Sequence, residues 1–110
     1  MNLTGAIVGD IGGTNARFAW LNEAGHPVDE RTLAVADHPG IVEAIETFAG
    51  ARRPRIVCLA VACPVDDDWI HLTNSPWAFS KRAVRERLGL ERLEVINDFT
   101  AQALALPHLS

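Results

Sequence analysis

An apolar run with β-branched residues and a second apolar run meet at Gly9-Asp10-Ile11-Gly12-Gly13-Thr14-Asn15, and this junction constrains the fold more than any other part of the chain. Leu3 to Gly9 reads as a strand that ends at Asp10 and the double glycine, and Arg17 to Leu21 reads as a second strand. Asn22-Glu23-Ala24-Gly25 is a solvent turn ahead of a weaker strand around Arg31 to Val35. Strands joined by so short a turn pair antiparallel.

Past this meander the period changes. Asp37-His38-Pro39-Gly40 has the composition of a helix start, with proline tolerated in the first turn. Ile41, Ala44, Ile45, Phe48 and Ala49 then recur at helical spacing on one face, and Gly50 stops the helix. Arg52-Arg53-Pro54-Arg55 is a short basic connector, read as a solvated loop. Ile56 to Ala62 is almost continuously apolar, the pattern of a strand covered on both faces. Cys63-Pro64 ends it. Asp66-Asp67-Asp68 could attract a cation, although a solvated turn before Trp69-Ile70-His71-Leu72 explains it as well. Ser80 can cap a helix running through Leu88, with Gly89 at C′ and Arg82, Arg85 and Arg87 along its surface. Leu93 to Ile96 forms a last strand that feeds Asn97-Asp98, and an Ala/Leu-rich helix, Phe99 to Leu106, runs into Pro107. The expected architecture is α/β, a five-stranded mixed sheet with flanking helices. No repeat, low-complexity tract or linker divides the 110 residues, so one continuous domain is expected.

Composition closes several doors. Ten basic against fourteen acidic side chains give a charge of −4 with no long basic stretch, which argues against a nucleic-acid partner. No run approaches the ~18 apolar residues of a membrane span, and no positive segment precedes an apolar core at Met1. A cytoplasmic domain without a membrane partner is the expectation. Cys58 and Cys63 lie five residues apart in one apolar run, so on a strand they face opposite ways and cannot bridge. Without a nearby His pair they also fall short of a zinc ligand set, and both are read as small buried hydrophobes.

Chemistry can sit at two places. The hairpin is not a Walker A loop, since no Gly-Lys-Ser/Thr follows the glycines, and a strand rather than a helix comes next. Gly12 and Gly13 lack Cβ atoms, so backbone N–H groups can approach an anion, and Thr14 adds a hydroxyl. Asp10, at the strand end, could hold a hydrated Mg²⁺ that bridges phosphate oxygens. A plain Gly-Gly hairpin turn explains the same residues. At the second place, Asn97-Asp98 joins the carboxyl end of a strand to a helix, where α/β sheets place ligands. Asp98 could accept a proton from a hydroxyl and Asn97 offers both donor and acceptor, but helix capping alone would account for either.

Three segments in order resolve this ambiguity. Gly9-Asp10-Ile11-Gly12-Gly13-Thr14-Asn15-Ala16-Arg17, Thr73-Asn74-Ser75-Pro76-Trp77-Ala78-Phe79 and Ile96-Asn97-Asp98-Phe99-Thr100-Ala101 resemble the bacterial glucokinase family, within the hexokinase-like, actin-related ATPase superfamily. Ala60-Val61-Ala62-Cys63-Pro64 matches the strand preceding the Trp segment, and the resemblance extends from Ile7 to Leu109. The resemblance implies a ribonuclease H-like, actin-like small domain and the ATP-dependent phosphorylation of glucose. It implies that Asp10 to Asn15 is a phosphate-binding segment for ATP, with Gly12, Gly13 and Thr14 facing phosphate and Mg²⁺ held indirectly at Asp10. It further implies that Asn97 and Asp98 bind the sugar with Asp98 as general base, while Thr73 and Asn74 line or support the sugar cleft. His71 and Trp77 are read as packing or loop-fixing groups.

Family members carry a second, larger domain whose Gly-rich nucleotide segments and Glu and His sugar ligands are absent from these 110 residues. Residues 1–110 are therefore expected to be the N-terminal small domain of a two-domain kinase, inactive alone. The family's chain also returns at its end to add a helix to this domain. Without that helix an apolar strip is expected to be exposed, and a homodimer could form through it. Two other readings stay open: another ATP-dependent hexose kinase, and a stand-alone sugar-binding domain without catalysis.

Overall fold

The computed structural model describes residues 5–72 and 75–97. The elements in chain order are β1 (Ala6–Ile11), β2 (Asn15–Leu21), β3 (Pro27–Ala34), a 3₁₀ turn (Val35–Asp37), α1 (Ile41–Ala49), β4 (Ile56–Val61), β5 (Trp69–His71), β6 (Ala78–Ser80), α2 (Lys81–Leu88) and β7 (Arg92–Asn97). The main sheet has five strands in the order β3-β2-β1-β4-β7. β1 runs antiparallel to β2 and parallel to β4, and β4 is parallel to β7. The expected five-stranded mixed sheet is present. A second sheet, β5 paired antiparallel with β6, was not expected from the sequence.

The boundaries shift where pairing overrides local pattern. Asp10 pairs with Arg17 and Ile11 with Ala16, so β1 continues through Ile11 and β2 already begins at Asn15. The connection shrinks to Gly12-Gly13-Thr14. β3 begins at Pro27, upstream of the expected Arg31, because it is an edge strand whose Val28–Thr32 face solvent and carry no alternation. Ala19 opposes both Asp29 and Glu30 in a bulge between the Phe18 and Trp20 pairs, with Asp29 at φ 55°. Of the segment read as the helix start, Asp37 closes the 3₁₀ turn, His38 and Pro39 are bends, and Gly40 is the N-cap of α1, which begins at Ile41. Pro39 supplies the reason: it pushes His38 out of the helical region, to φ −133° and ψ 136°.

Burial corrects one expectation about β4. Val57, Leu59 and Val61 are fully buried, whereas Ile56, Cys58 and Ala60 on the opposite face are only half-buried. Among the described residues α1 and α2 touch each other and share a core with the first of these faces, and no described helix packs on the second. Cys63 lies beyond the end of β4, so the alternation argument does not relate it to Cys58. Both thiols are free all the same. Burial pushes each pKa up, with Glu94 adding to the rise at Cys58, which keeps both protonated and unreactive at neutral pH.

The core lies between the sheet and the two helices. Ile7, Phe18, Ala44, Ile45, Val57, Leu59 and Val61 are excluded from water, and Phe48 of α1 stacks over Trp20 and Phe18 at centroid distances of 5.9 and 5.6 Å. Gly9 is required by this packing. A Cβ there would sit 2.9 Å from Leu59 Cδ2 and from two Phe18 ring carbons, so the neighbouring rows close over the space a side chain would fill.

Candidate functional site

The register of three parallel strands defines one edge of the sheet. Ile11, Val61 and Asn97 lie in line across β1, β4 and β7, and each is the last residue of its strand. Adjacent strands are about 4.8 Å apart, so β1 and β7 sit roughly 10 Å apart across β4. This edge is where a sheet with parallel strands offers loop backbone and strand-end side chains to a ligand. Asp10, Gly12, Thr14, Asn15 and Ala62 along it are all exposed.

The hairpin tip is held from two sides. The Gly12 N–H donates to Asn15 O at 2.9 Å across the three-residue loop, and a Cβ on Gly12 would meet that carbonyl at 3.2 Å. Thr14 O accepts from the Val35 N–H at 2.9 Å, which ties the tip to the 3₁₀ turn after β3. Asp10, Gly12, Gly13, Thr14 and Asn15 are thus brought together as expected, with Asp10 and Asn15 inside strands rather than in the loop. No group of three or more His, Cys, Asp or Glu side chains that could hold a metal is present among the described residues. Asp10 is one exposed carboxylate. That suits Mg²⁺, which keeps most of its water and takes one or two carboxylates beside phosphate oxygens.

Asn97 ends β7 half-buried, and its Nδ2 donates to Cys63 O at 2.9 Å. One side-chain N–H therefore fixes the loop leaving β4, a structural duty the sequence did not reveal. Thr73, Asn74 and Asp98 lie outside the described residues.

The acidic turn also has a structural duty. Asp68 Oδ2 accepts from the Ser80 hydroxyl and Oδ1 from the Arg82 N–H, while Ser80 Oγ accepts from the Ala83 N–H at 3.2 Å. Ser80 is the expected N-cap of α2, and Asp68 is a second cap reaching it from twelve residues upstream. The Ser80 bond and then the Arg82 bond hold the Asp68 carboxyl below its ordinary value. Gly89, at φ 63° and ψ 37°, closes α2 in the left-handed conformation, as expected. A groove of about 310 Å³ at the opposite edge of the sheet is lined by Ile45, Ala49, Arg52, Arg53, Arg87 and Leu88, and contains none of the candidate residues. Two of its arginines have other partners: Arg52 lies 3.8 Å over the Trp20 ring and Arg87 pairs with Glu43 at 3.3 Å.

Comparison with known proteins gives this edge a context. The sequence profile of the glucokinase family matches residues 7–110. The chain belongs to the glucokinase family. A glucokinase of Chromohalobacter salexigens is 50% identical over 109 residues, covering 96% of this chain and 34% of that protein. A glucokinase of Aromatoleum aromaticum is 45% identical, covering 94% of this chain and 33% of the relative. In three dimensions the chain is similar to the crystal structure of a glucokinase from an Antarctic psychrotroph, with a TM-score of 0.79 and 38% identity over 96% of this chain and 35% of that one. The chain spans about a third of the length of the glucokinases it matches. No helix among its described residues is long and apolar enough to cross a membrane.

Proposed function

We propose that this chain is the N-terminal small domain of an ATP-dependent glucokinase and supplies one wall of its active-site cleft. The observation that carries the reading is the shared edge: a glycine hairpin at the end of β1 and Asn97 at the end of β7, two strands apart, in a chain of this family. With the Gly12 N–H committed to Asn15 O, the Gly13 and Thr14 amides and the Thr14 hydroxyl are the tip donors left to meet phosphate oxygens. Asp10 would hold Mg²⁺ through its water shell, and the ion would neutralise phosphate charge.

Asn97 and Asp98, supported by Thr73 and Asn74, would hold the sugar at the far end of the edge. Asp98 takes the proton of the 6-hydroxyl as that oxygen bonds the γ-phosphorus and the bond from phosphorus to the ADP oxygen breaks. A sugar hydroxyl is too weak an acid to ionise at neutral pH, so this transfer falls late, and most of the rate comes from alignment and charge neutralisation. The test is glucose 6-phosphate formation by the full natural chain that carries these residues. Asp98→Asn should lower kcat by about 10²–10⁴-fold with glucose still bound. A variant retaining more than a tenth of the activity would remove Asp98 from the base role. Residues 1–110 alone should give no turnover above that variant.

A further inference from the structure

A chain of hydrogen bonds joins the phosphate hairpin to the segment at residues 72–77 without passing through the sheet. The Trp77 side chain is 1% exposed, and its indole N–H donates to the His38 carbonyl at 3.0 Å, linking residues 39 apart in sequence. The His38 N–H in turn donates to Val35 O at 3.2 Å, and the His38 ring nitrogen Nδ1 lies 3.0 Å from Ala34 O. The Val35 N–H holds Thr14 O, at the hairpin tip. On its other side Trp77 accepts the Leu72 N–H at 3.2 Å through its own carbonyl, and its N–H donates to Ser75 Oγ at 3.2 Å. The Trp77 backbone thus holds Leu72 and Ser75, while its indole bolts them to the turn that anchors Thr14.

We propose that Trp77 is a positioning residue that fixes the 72–77 loop against the phosphate hairpin. Its functional consequence rests on the kinase reading above, in which that loop supports the sugar and the hairpin supports the phosphates. Two features single out this bond. The indole is buried, and losing its N–H takes this partner from the half-buried His38 carbonyl. The bond also lies between the two segments rather than within either, and phosphoryl transfer is sensitive to their relative placement, since a 1 Å misplacement costs on the order of 10²-fold in rate.

Trp77→Phe keeps a buried ring and removes only the donor, and hydrogen exchange on the full natural chain reads the result. The Leu72 and Val35 amides should both exchange at least about fivefold faster, while those of Ile7 and Leu59 in the central strands β1 and β4 stay unchanged. With kcat referred to the concentration of folded protein, read by circular dichroism, the same variant should lose roughly tenfold in kcat with KM for ATP within twofold. Faster exchange at Leu72 with Val35 unaltered would overturn the proposal. If the parent chain makes no glucose 6-phosphate, the kinase reading falls while the exchange result still decides the coupling. Should Trp77→Phe fail to fold, the parent supplies the measurement: the Trp77 indole proton and the Val35 amide, each rate divided by the intrinsic rate of its group, should agree within about threefold, as members of one opening unit. Rates separated by more than about tenfold would overturn the coupling.

Discussion

Replacing Gly9 with alanine isolates the packing on which the hairpin stands. Gly9 lies in β1 with no positive φ, so alanine meets no backbone penalty and the cost is purely one of space. The new Cβ would lie 2.9 Å from Leu59 Cδ2, Phe18 Cδ1 and Phe18 Cε1, about half an ångström inside ordinary contact. Leu59 can swing its terminal methyl, but Phe18 is fully buried and wedged against Phe48 at 5.6 Å. Overpacking of this kind costs about 1–3 kcal/mol. The reduced freedom of the unfolded chain offsets about 0.4–1 kcal/mol. The net expectation is a loss of about 1–2 kcal/mol, or a Tm lower by roughly 5–15 °C in a domain of this size. Urea and thermal unfolding followed by circular dichroism measure it. Leu59→Val provides the internal control: it should cost about 1 kcal/mol alone, yet the double variant should lie at least about 0.5 kcal/mol above additivity because the crowded methyl has gone. A Gly9→Ala chain as stable as the parent, or strict additivity, would refute the steric reasoning.

Two further predictions concern the start of α2. Ser80→Ala removes the acceptor for Ala83 N–H and the donor to Asp68, and should cost about 1 kcal/mol, read as a lower urea midpoint at unchanged m-value. The Asp68 carboxyl is held below its ordinary value of 3.8 by Ser80 and then by Arg82, so its contribution is fully present above that value and is lost as pH falls through the lowered one. Asp68→Asn should therefore lower stability at neutral pH and flatten its decline below about pH 4, so that parent and variant converge in acid; an identical acid slope in parent and variant would contradict the assignment.

The elements most readable in the sequence were those whose signal is local. The helical spacing of Ile41, Ala44, Ile45, Phe48 and Ala49 marks α1, and Ser80 and Gly89 bracket α2 because a cap is a property of a few adjacent residues. The glycine hairpin between β1 and β2 was legible for the same reason. What stayed hidden depends on partners distant in the chain. β5 and β6 have three residues each, too few to show a period, and exist because they pair with one another. Asp68 looked like one of three solvated carboxylates until the fold placed it beside Ser80 and Arg82. Trp77 could be read as a packing group, but its tie to His38 could not be read at all, because no local rule links residues 39 apart. The half-buried face of β4 was misread because an apolar run records hydrophobicity without recording which face a helix covers.

The same geometry shows why an edge of this kind works as half of a cleft. Its fixed parts are rigid: β1 sits at the sheet centre between β2 and β4, a three-residue loop leaves the hairpin tip little freedom, and Asn97 and Thr14 are each bonded to a neighbouring segment. Rigidity of this sort lowers the entropy lost when phosphate or sugar is bound. Its exposed parts do the opposite. Asp10, Gly12, Thr14 and Asn15 all face water, where hydrogen bonds and charges on a bound anion are screened and worth little. Phosphoryl transfer gains most from electrostatic groups placed where water is excluded. A preorganised but open edge can therefore align reactants, and a second wall closing over it is what would turn alignment into rate. In the proposed kinase the pre-set hairpin and sugar loop belong to this domain, and the exclusion of water belongs to the closure of a partner domain upon it.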